Sequence, residues 1–193
     1  MDIKIVDVTR KNFNLIPRPA DKRFNCQECF YWIGKKDGRL NQALQKKRWL
    51  AKKEKIYGSL AKILLWGKRG KPVGFAQFGP INEFETAKMF YQDRLNTPRG
   101  GVKPRGGHAT LRGWCITCVA IQSAYRGKGL AKRLVRHILR DLKQRGVRKV
   151  DVYSLRHASS LNQVPVGPVE FWQKLDFEIV LEDPKRVIMR KKL

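Results

Sequence analysis

A strand, a glycine-rich turn and a long amphipathic helix follow one another directly in the second half of this sequence. Residues 113–121 (GWCITCVAI) are mostly apolar and partly β-branched, which predicts a buried strand. From Leu130 to Leu142 apolar residues recur at steps of three and four, which predicts a helix with one buried face. Gly127 and Gly129 lie between these two elements. The unit therefore points to a fold in which helices accompany a sheet.

The two glycines need a physical reason, because glycine inside a helix costs roughly 1 kcal/mol relative to alanine. The first N–H groups of a helix have no internal partner and carry the positive end of its dipole. A turn without side chains lets a phosphate approach these groups, and Arg126 and Lys128 add positive charge. The turn therefore predicts a pyrophosphate site. The alternative is a plain basic turn before a solvated helix.

Two other phosphate-binding motifs do not fit this turn. A Walker loop requires Ser or Thr after its Gly-Lys pair, whereas Lys128 is followed by Gly129. The dinucleotide fingerprint requires a third glycine at the position where this chain has Lys132. Neither of these nucleotide-binding motifs therefore accounts for the two glycines.

The charge of the chain constrains its partners. The sequence has 42 Lys and Arg residues against 16 Asp and Glu, which gives a net charge of +26. A field of this size attracts polyanions and repels polycations. RNA or the ribosome is therefore a predicted contact, and small cationic substrates such as polyamines are disfavoured. The alternative is a solvated basic surface without such a partner.

Length and composition favour one soluble domain. At 193 residues and 42% hydrophobic content, the chain is long enough to bury a core. Its N-terminus, MDIKIVDVTR, has no apolar signal sequence, and no internal stretch approaches the length of a membrane span. We therefore expect a cytoplasmic protein without membrane contact. The sequence does not indicate its oligomeric state.

Four cysteines form two CxxC pairs, Cys26/Cys29 and Cys115/Cys118. Such a small number in a chain without a signal sequence predicts reduced thiols rather than disulfides. A four-cysteine zinc site would require the two pairs to meet. Cys115 and Cys118 are three residues apart in a predicted strand, so they should point to opposite faces. We therefore expect no metal site.

The remaining segments predict a single α+β domain over residues 1–193. Residues 11–38 are predicted to be irregular, and 97–108 form a basic, glycine-rich loop in which PRGG occurs twice. That loop is either a plain loop or lid beside the site, or a contact to a nucleic-acid backbone. Further strands are predicted at 3–9, in a hairpin over 61–81, and at 149–155, 177–183 and 186–192. Further helices are predicted at 41–57, 83–95 and 168–175.

This order of elements resembles the GNAT superfamily of acyl-CoA-dependent N-acetyltransferases. The segment 119–121 is similar to the strand that pairs with the pantetheine arm, and 126–131 (RGKGLA) fits the [Q/R]-x-x-G-x-[G/A] pyrophosphate loop. The helix that follows also fits, and FWQKLDF at 171–177 resembles the late aromatic helix and strand of the family. The hairpin that ends in GFAQFGP agrees as well. The resemblance covers roughly residues 41–193.

The resemblance implies an α/β/α sandwich around a central mixed, mostly antiparallel sheet whose middle strands splay apart. It also implies acetyl-CoA as co-substrate and direct attack of an amine on the acetyl group. The diphosphate would lie on the N–H groups of residues 127–131, and pantetheine would lie in the slot beside the preceding strand. The implied cofactor-binding residues are Val119, Ile121, Arg126, Gly127, Lys128, Gly129, Leu130 and Ala131.

The sequence offers two candidates for proton transfer but no complete catalytic set. In many relatives the acid is a tyrosine on the late helix, and the matching position here holds Trp172. Tyr153, at the end of a predicted strand, is a possible substitute. Glu83, which follows the hairpin, is a candidate base. A chain of water molecules could replace a dedicated base.

Three functions remain open at this point. The first is an N-acetyltransferase whose acceptor lies on or near a polyanion, such as RNA, aminoacyl-tRNA or a ribosome-associated protein. The second is an acetyltransferase for a small-molecule or peptide amine. The third is a non-catalytic RNA- or ribosome-binding protein on the same scaffold, which the Trp172 substitution supports.

Overall fold

The computed structural model describes residues 2–19, 24–34, 37–38, 40–95, 113–154, 167–182 and 187–193. One seven-stranded sheet has the strand order β1-β2-β3-β4-β5-β7-β6. The strands are β1 Ile3–Asp7, β2 Ala61–Trp66, β3 Lys71–Pro80, β4 Trp114–Ile121, β5 Lys149–Ser154, β6 Glu178–Glu182 and β7 Val187–Lys192. The α-helices are α1 Gln42–Tyr57, α2 Glu85–Leu95, α3 Leu130–Gln144 and α4 Val169–Gln173.

Every predicted strand and helix is present, with ends that differ from the predicted ends by at most two residues. The predicted loop at 97–108 lies outside the described residues. In the described part of the chain, no helix combines the length and the apolar character needed to cross a membrane.

The sheet is mixed, because β4 and β5 are parallel and the other neighbouring strands are antiparallel. The β4–β5 ladder runs only from Trp114↔Val150 to Ile116↔Val152, although β4 continues to Ile121. The two strands therefore separate in the middle of the sheet. This confirms the prediction of a mixed, mostly antiparallel sheet with splayed central strands.

A β-bulge lies where the two strands separate. Gln77 of β3 pairs with Cys118, and the next residue, Phe78, pairs with Ile116, so Thr117 is an extra residue on β4. The buried Thr117 hydroxyl donates a hydrogen bond to the Gln77 carbonyl at 3.2 Å. A bulge bends its strand and increases the local twist. The bend therefore coincides with the departure of β4 from β5.

Helices α3 and α4 cover one face of the sheet. The apolar stripe of α3 packs with Val150 and Val152 of β5, as its helical period predicts. Helix α4 adds Trp172, which is fully buried and lies edge-on to the Phe177 ring at a centroid distance of 5.1 Å. Both helices therefore belong to one hydrophobic core with β5.

Helices α1 and α2 and residues 24–34 cover the opposite face. Helix α1 begins after Asn41, whose side chain accepts a hydrogen bond from the Leu44 N–H at 3.0 Å. The buried Lys46 ammonium donates to the carbonyls of Cys26 at 2.7 Å and Cys29 at 3.1 Å. These bonds attach the irregular N-terminal segment to α1.

An ionic network attaches the C-terminal end of α3 to the edge of the sheet. Lys62 of β2 lies 2.6 Å from carboxylate oxygens of both Asp7 and Asp141. Arg145 donates two hydrogen bonds to Asp141, at 2.9 and 2.7 Å, and one to the Ser59 carbonyl at 2.9 Å. Asp141 therefore joins two cations that come from different parts of the chain.

The network predicts how stability depends on pH. Burial alone would raise the pKa of Asp141, but hydrogen bonds from Lys62 and Arg145 outweigh it and hold this pKa below its ordinary value. A lowered carboxyl pKa stabilises the fold above the pKa of the unfolded chain, and this contribution disappears as pH falls through the folded pKa. We expect Asp141→Asn to lower the free energy of unfolding by about 1–3 kcal/mol at neutral pH.

Urea unfolding at neutral pH and at about pH 3 checks this expectation. The stability difference between parent and variant should shrink at the acidic pH, because the Asp141 carboxyl of the unfolded parent binds a proton there more readily than that of the folded parent. Asp7→Asn is the matched control, because Asp7 binds the same Lys62 but its side chain is 49% exposed, so its loss should matter less. A difference that stays constant from neutral to acidic pH would contradict the role given to Asp141.

Candidate active site

The turn that leads into α3 has a backbone that favours glycine. After Ile121 the chain passes through a single 3-10 turn, Ser123–Tyr125. Gly127 and Gly129 follow with φ angles of 76° and 71°. Side chains rarely adopt these left-handed values, whereas glycine adopts them readily. The sequence pattern therefore placed both glycines correctly between strand and helix, and the backbone explains them.

The same turn presents open backbone groups. A Cβ built at Gly127 or Gly129 would meet no atom of the described residues within 4 Å, apart from its neighbours in the chain. The first hydrogen bond of α3 runs from the Arg133 N–H to the Gly129 carbonyl at 3.2 Å. The N–H groups of residues 130–132 therefore have no carbonyl partner within the helix. Packing does not occupy the side of the turn to which a side chain would point.

Four predicted binding residues differ in what they can offer a ligand. The Leu130 side chain is 2% exposed and belongs to the core, so only its backbone is available, while Ala131 is half-buried. Lys128 is exposed. Arg126 is also exposed, and its Nε donates to the Ile121 carbonyl at 3.3 Å, which holds the guanidinium near the end of β4. Two cations therefore flank the turn.

The edge of β4 that faces β5 has no strand partner beyond Ile116 in the described part of the sheet. Val119 is half-buried and Ile121 is 7% exposed, and both pack into the core beneath α3. Their side chains are therefore held in the core, and only their backbone groups are available to a ligand at this edge. Unpaired N–H and C=O groups of a strand edge can pair with another extended, amide-containing chain.

The turn and the strand edge together fit coenzyme A. Its diphosphate requires N–H donors, positive charge and close approach of the backbone, and the turn at 127–129 offers all three. Its pantetheine arm contains amides, which can pair with the open edge of β4. The fit depends on backbone groups more than on side chains.

Tyr153 lies on the face of the sheet opposite to α3, one residue beyond the last β4–β5 pair. It is 5% exposed and packs with Cys115 in the same hydrophobic cluster. Its ring centroid lies 5.0 Å from that of Trp32 and 5.4 Å from that of Phe90. The structure therefore places Tyr153 at the opening between the strands, within an aromatic cluster.

The Glu83 carboxylate interacts with side chains of α1. It ends the 3-10 turn after β3, accepts a hydrogen bond from the Tyr57 hydroxyl at 2.8 Å and forms an ion pair with Lys53. The hydrogen bond to Glu83 raises the pKa of the Tyr57 phenol. Both partners lie on α1, so Glu83 attaches that helix to the end of β3.

The expectation that Cys115 and Cys118 point to opposite faces is wrong. The extra residue Thr117 changes the alternation of β4, so both cysteines lie on the face covered by α1 and α2. Cys115 packs with Tyr153, whereas Cys118 packs in the cluster that contains Cys26. The two CxxC pairs therefore meet only through Cys118.

Cys118 interacts electrostatically with Cys26, Cys29 and the Lys46 ammonium. Burial raises the pKa of the Cys26 thiol to about 11, against the opposing effect of Lys46. Burial likewise raises the pKa of Cys118 and lowers that of Lys46. All four cysteines are free. Across the described residues, no three His, Cys or carboxylate side chains converge in a way that could hold a metal ion.

Two features of the site were missed in the sequence. One is the buried pair Gln77 and Thr117 at the bulge; a single polar residue within each apolar strand was the signal that could have revealed it. The other is the packing of Trp32 and Phe90 around Tyr153. These contacts join three distant segments, and no local pattern indicates them.

Several solved structures share this fold across the full chain. Mosquito arylalkylamine N-acetyltransferase like 5b matches with a TM-score of 0.59 at 13% identity, covering 100% of both chains. An N-acetyltransferase from Staphylococcus aureus Mu50 matches with a TM-score of 0.57 at 14% identity, covering 100% of this chain and 99% of that one. A chain of the NatC complex gives 0.54 at 12% identity, with coverage of 100% and 99%. Identities this low show a shared fold only.

Comparisons by sequence give one result at the level of the family. Among curated protein sequences, none matches this chain. The sequence model of the Acetyltransferase (GNAT) family matches residues 9–177, which run from just after β1 to just beyond α4. Because the match spans most of the chain and the fold agrees with it, this protein belongs to the GNAT acetyltransferase family.

Proposed function

We propose that this protein is an acetyl-CoA-dependent N-acetyltransferase that transfers acetyl to an amine by direct attack. The observation that carries the proposal is the side-chain-free turn at the start of α3, which follows directly on the open edge of β4. Family membership supports an acyltransferase, and the turn supports coenzyme A as the acyl carrier.

Acetyl-CoA would supply the acyl group as an activated thioester. The N–H groups of residues 127–131 would hold the diphosphate, with Arg126 and Lys128 beside it. The backbone at Val119 and Ile121 would pair with the amides of pantetheine. This arrangement directs the thioester toward the opening between β4 and β5. Backbone N–H groups at the open edge of β4 could then polarise the thioester oxygen.

Tyr153 is the better placed of the two candidate proton-transfer residues. Its position at the opening supports a role in giving a proton to the departing thiolate, whereas Glu83 is engaged with α1. Trp172 is fully buried in the core beneath α3. A thiol with a pKa near 8.5 leaves readily, so we expect the acid to contribute about 10²-fold, the low end of what general acids supply.

We further propose that the acceptor amine lies on or near a polyanion: RNA, aminoacyl-tRNA or a ribosome-associated protein. The net charge of +26 supports this, because bound coenzyme A would neutralise only a small part of it.

Two other functions have specific support. One solved neighbour is an arylalkylamine N-acetyltransferase, and the NatC structure contains a Gag peptide and CoA, so a small-molecule or peptide amine is an alternative acceptor. The replacement of the family's tyrosine by Trp172 favours a non-catalytic RNA- or ribosome-binding protein.

Binding of coenzyme A tests the role of the turn. We expect Gly129→Glu to weaken binding at least about 100-fold, because the variant places a carboxylate where the diphosphate should lie. Gly146→Glu is the matched control: Gly146 follows α3, has a φ of 78°, and a Cβ there would also meet nothing within 4 Å. The control should bind coenzyme A within about threefold of the parent. It carries similar backbone strain and the same new charge, but its site lies away from the turn.

Calorimetric titration with coenzyme A, combined with circular dichroism to show that both variants are folded, makes the measurement. If folded Gly129→Glu bound coenzyme A as tightly as the parent, the turn would not be a diphosphate site.

Transfer itself is tested with radiolabelled acetyl-CoA and cell extract, fractionated into RNA, protein and small molecules. We expect label in RNA or in RNA-associated protein, and we expect Tyr153→Phe to slow labelling by about 10²-fold without weakening coenzyme A binding. Phenylalanine keeps the ring packed against Trp32 and Phe90, so only the hydroxyl is tested. Label in the small-molecule fraction would favour the second function, and no label with intact coenzyme A binding would favour the third.

A further inference from the structure

The outer side of α1 carries a groove that the acetyl-transfer site does not use. It is a concavity of about 380 Å³, and its lining residues, defined here as the α1 groove, are Arg10, Arg48, Ala51, Lys52, Glu54 and Lys55. Arg48, Lys52 and Lys55 follow the spacing i, i+4 and i+7, so they share one face of the helix. Arg10, just beyond β1, adds a cation from a second element.

The charges of the α1 groove are not neutralised by the part of the chain that the structure describes. Neighbouring lysines of α1 are engaged: Lys53 pairs with Glu83, and Lys46 donates to backbone carbonyls. The four cations of the groove are exposed, and among the described residues none forms an ion pair with a carboxylate; they are Arg10, Arg48, Lys52 and Lys55.

We propose that the α1 groove binds the sugar–phosphate backbone of an RNA. This inference rests on the proposed function, since it names the polyanion near which the acceptor amine would lie. Four unneutralised cations that converge from two elements complement a run of phosphates. The helical rise places Arg48 and Lys55 about 10 Å apart along α1, which is long enough for more than one phosphate contact.

The lining of the groove indicates backbone recognition rather than base recognition. Among the described residues that line the groove none is aromatic, so these residues offer no ring on which a base could stack. Long, exposed Lys and Arg side chains contact phosphates without reading sequence. The groove therefore suits an RNA of any sequence.

Glu54 favours RNA over DNA. Of the lining residues that the structure describes, it alone is a carboxylate. It repels phosphates but can accept a hydrogen bond from a ribose 2′-hydroxyl. DNA lacks that hydroxyl, so it meets the repulsion without the hydrogen bond. A carboxylate among four cations therefore supports selection for ribose.

Two triple variants test the groove by fluorescence anisotropy with a labelled RNA hairpin over a series of salt concentrations. The groove variant is Arg48→Gln, Lys52→Gln and Lys55→Gln. The matched control is Arg136→Gln, Arg140→Gln and Lys143→Gln, which removes the same charge at the same spacing from the exposed face of α3.

We expect the groove variant to bind the hairpin about 10- to 100-fold more weakly than the parent, because three phosphate contacts are lost. The slope of log affinity against log salt should fall by about 2 units, at roughly 0.7 to 0.9 per contact. The control should remain within about threefold of the parent. Equal losses in both variants would show that only net charge matters, and no loss in the groove variant would overturn the site.

A third variant, Glu54→Ala, tests the selection of ribose. The parent should prefer the RNA hairpin to a DNA hairpin of the same sequence, and the variant should lose this preference by a gain in DNA affinity. An unchanged preference would contradict the role of Glu54. Competition with poly-glutamate tests whether an acidic protein is the partner instead. If poly-glutamate bound the groove more tightly than the RNA hairpin does, the RNA proposal would be wrong.

Separate measurements of RNA binding and coenzyme A binding distinguish a failure of this inference from a failure of the proposed function. Coenzyme A titration of the same proteins should give equal affinities for the parent and the groove variant. Unchanged RNA binding in the groove variant, or absence of RNA binding in the parent, would overturn this inference and leave the proposed acetyl transfer standing. Absence of coenzyme A binding in the parent would overturn the proposed acetyl transfer and leave the RNA measurement unaffected.

Discussion

The separation of β4 from β5 beyond Ile116 is the constraint on which the rest of the site depends. In the part of the chain that the structure describes, it leaves one edge of β4 without a strand partner. The same strand leads through Gly127 and Gly129 to the first N–H groups of α3, which have no partner within the helix. Backbone polar groups seldom remain without partners. A ligand with amides at one end and a diphosphate at the other would satisfy both sets in a single extended pose.

Local signals in the sequence were enough for much of this arrangement. The apolar period of α3, the start of α1 near Asn41 and the glycines of the turn are determined by residues close in sequence, and all are found where predicted. A helix stripe or a positive φ angle depends on a few neighbouring residues, so it can be read without knowing the fold. The family resemblance then supplied the mixed, mostly antiparallel sheet with splayed central strands.

Contacts between distant segments could not be predicted in the same way. The bulge at Thr117 depends on how β4 pairs with β3, and it changed the faces of Cys115 and Cys118 relative to regular alternation. The aromatic cluster around Tyr153 and the groove shared by Arg10 and α1 also combine separate segments. Charge counting predicted a polyanionic partner, but only the structure suggests a surface for it.

The central claim is that the N–H groups at the start of α3 receive the diphosphate of coenzyme A. Amide ¹H–¹⁵N chemical shifts, followed during titration with coenzyme A and separately with pantetheine, measure this at each backbone position. We expect coenzyme A to shift the amides of residues 127–132 and of β4, and pantetheine to shift those of β4 only. Saturation with coenzyme A that leaves the amides of 127–132 unmoved would contradict the claim.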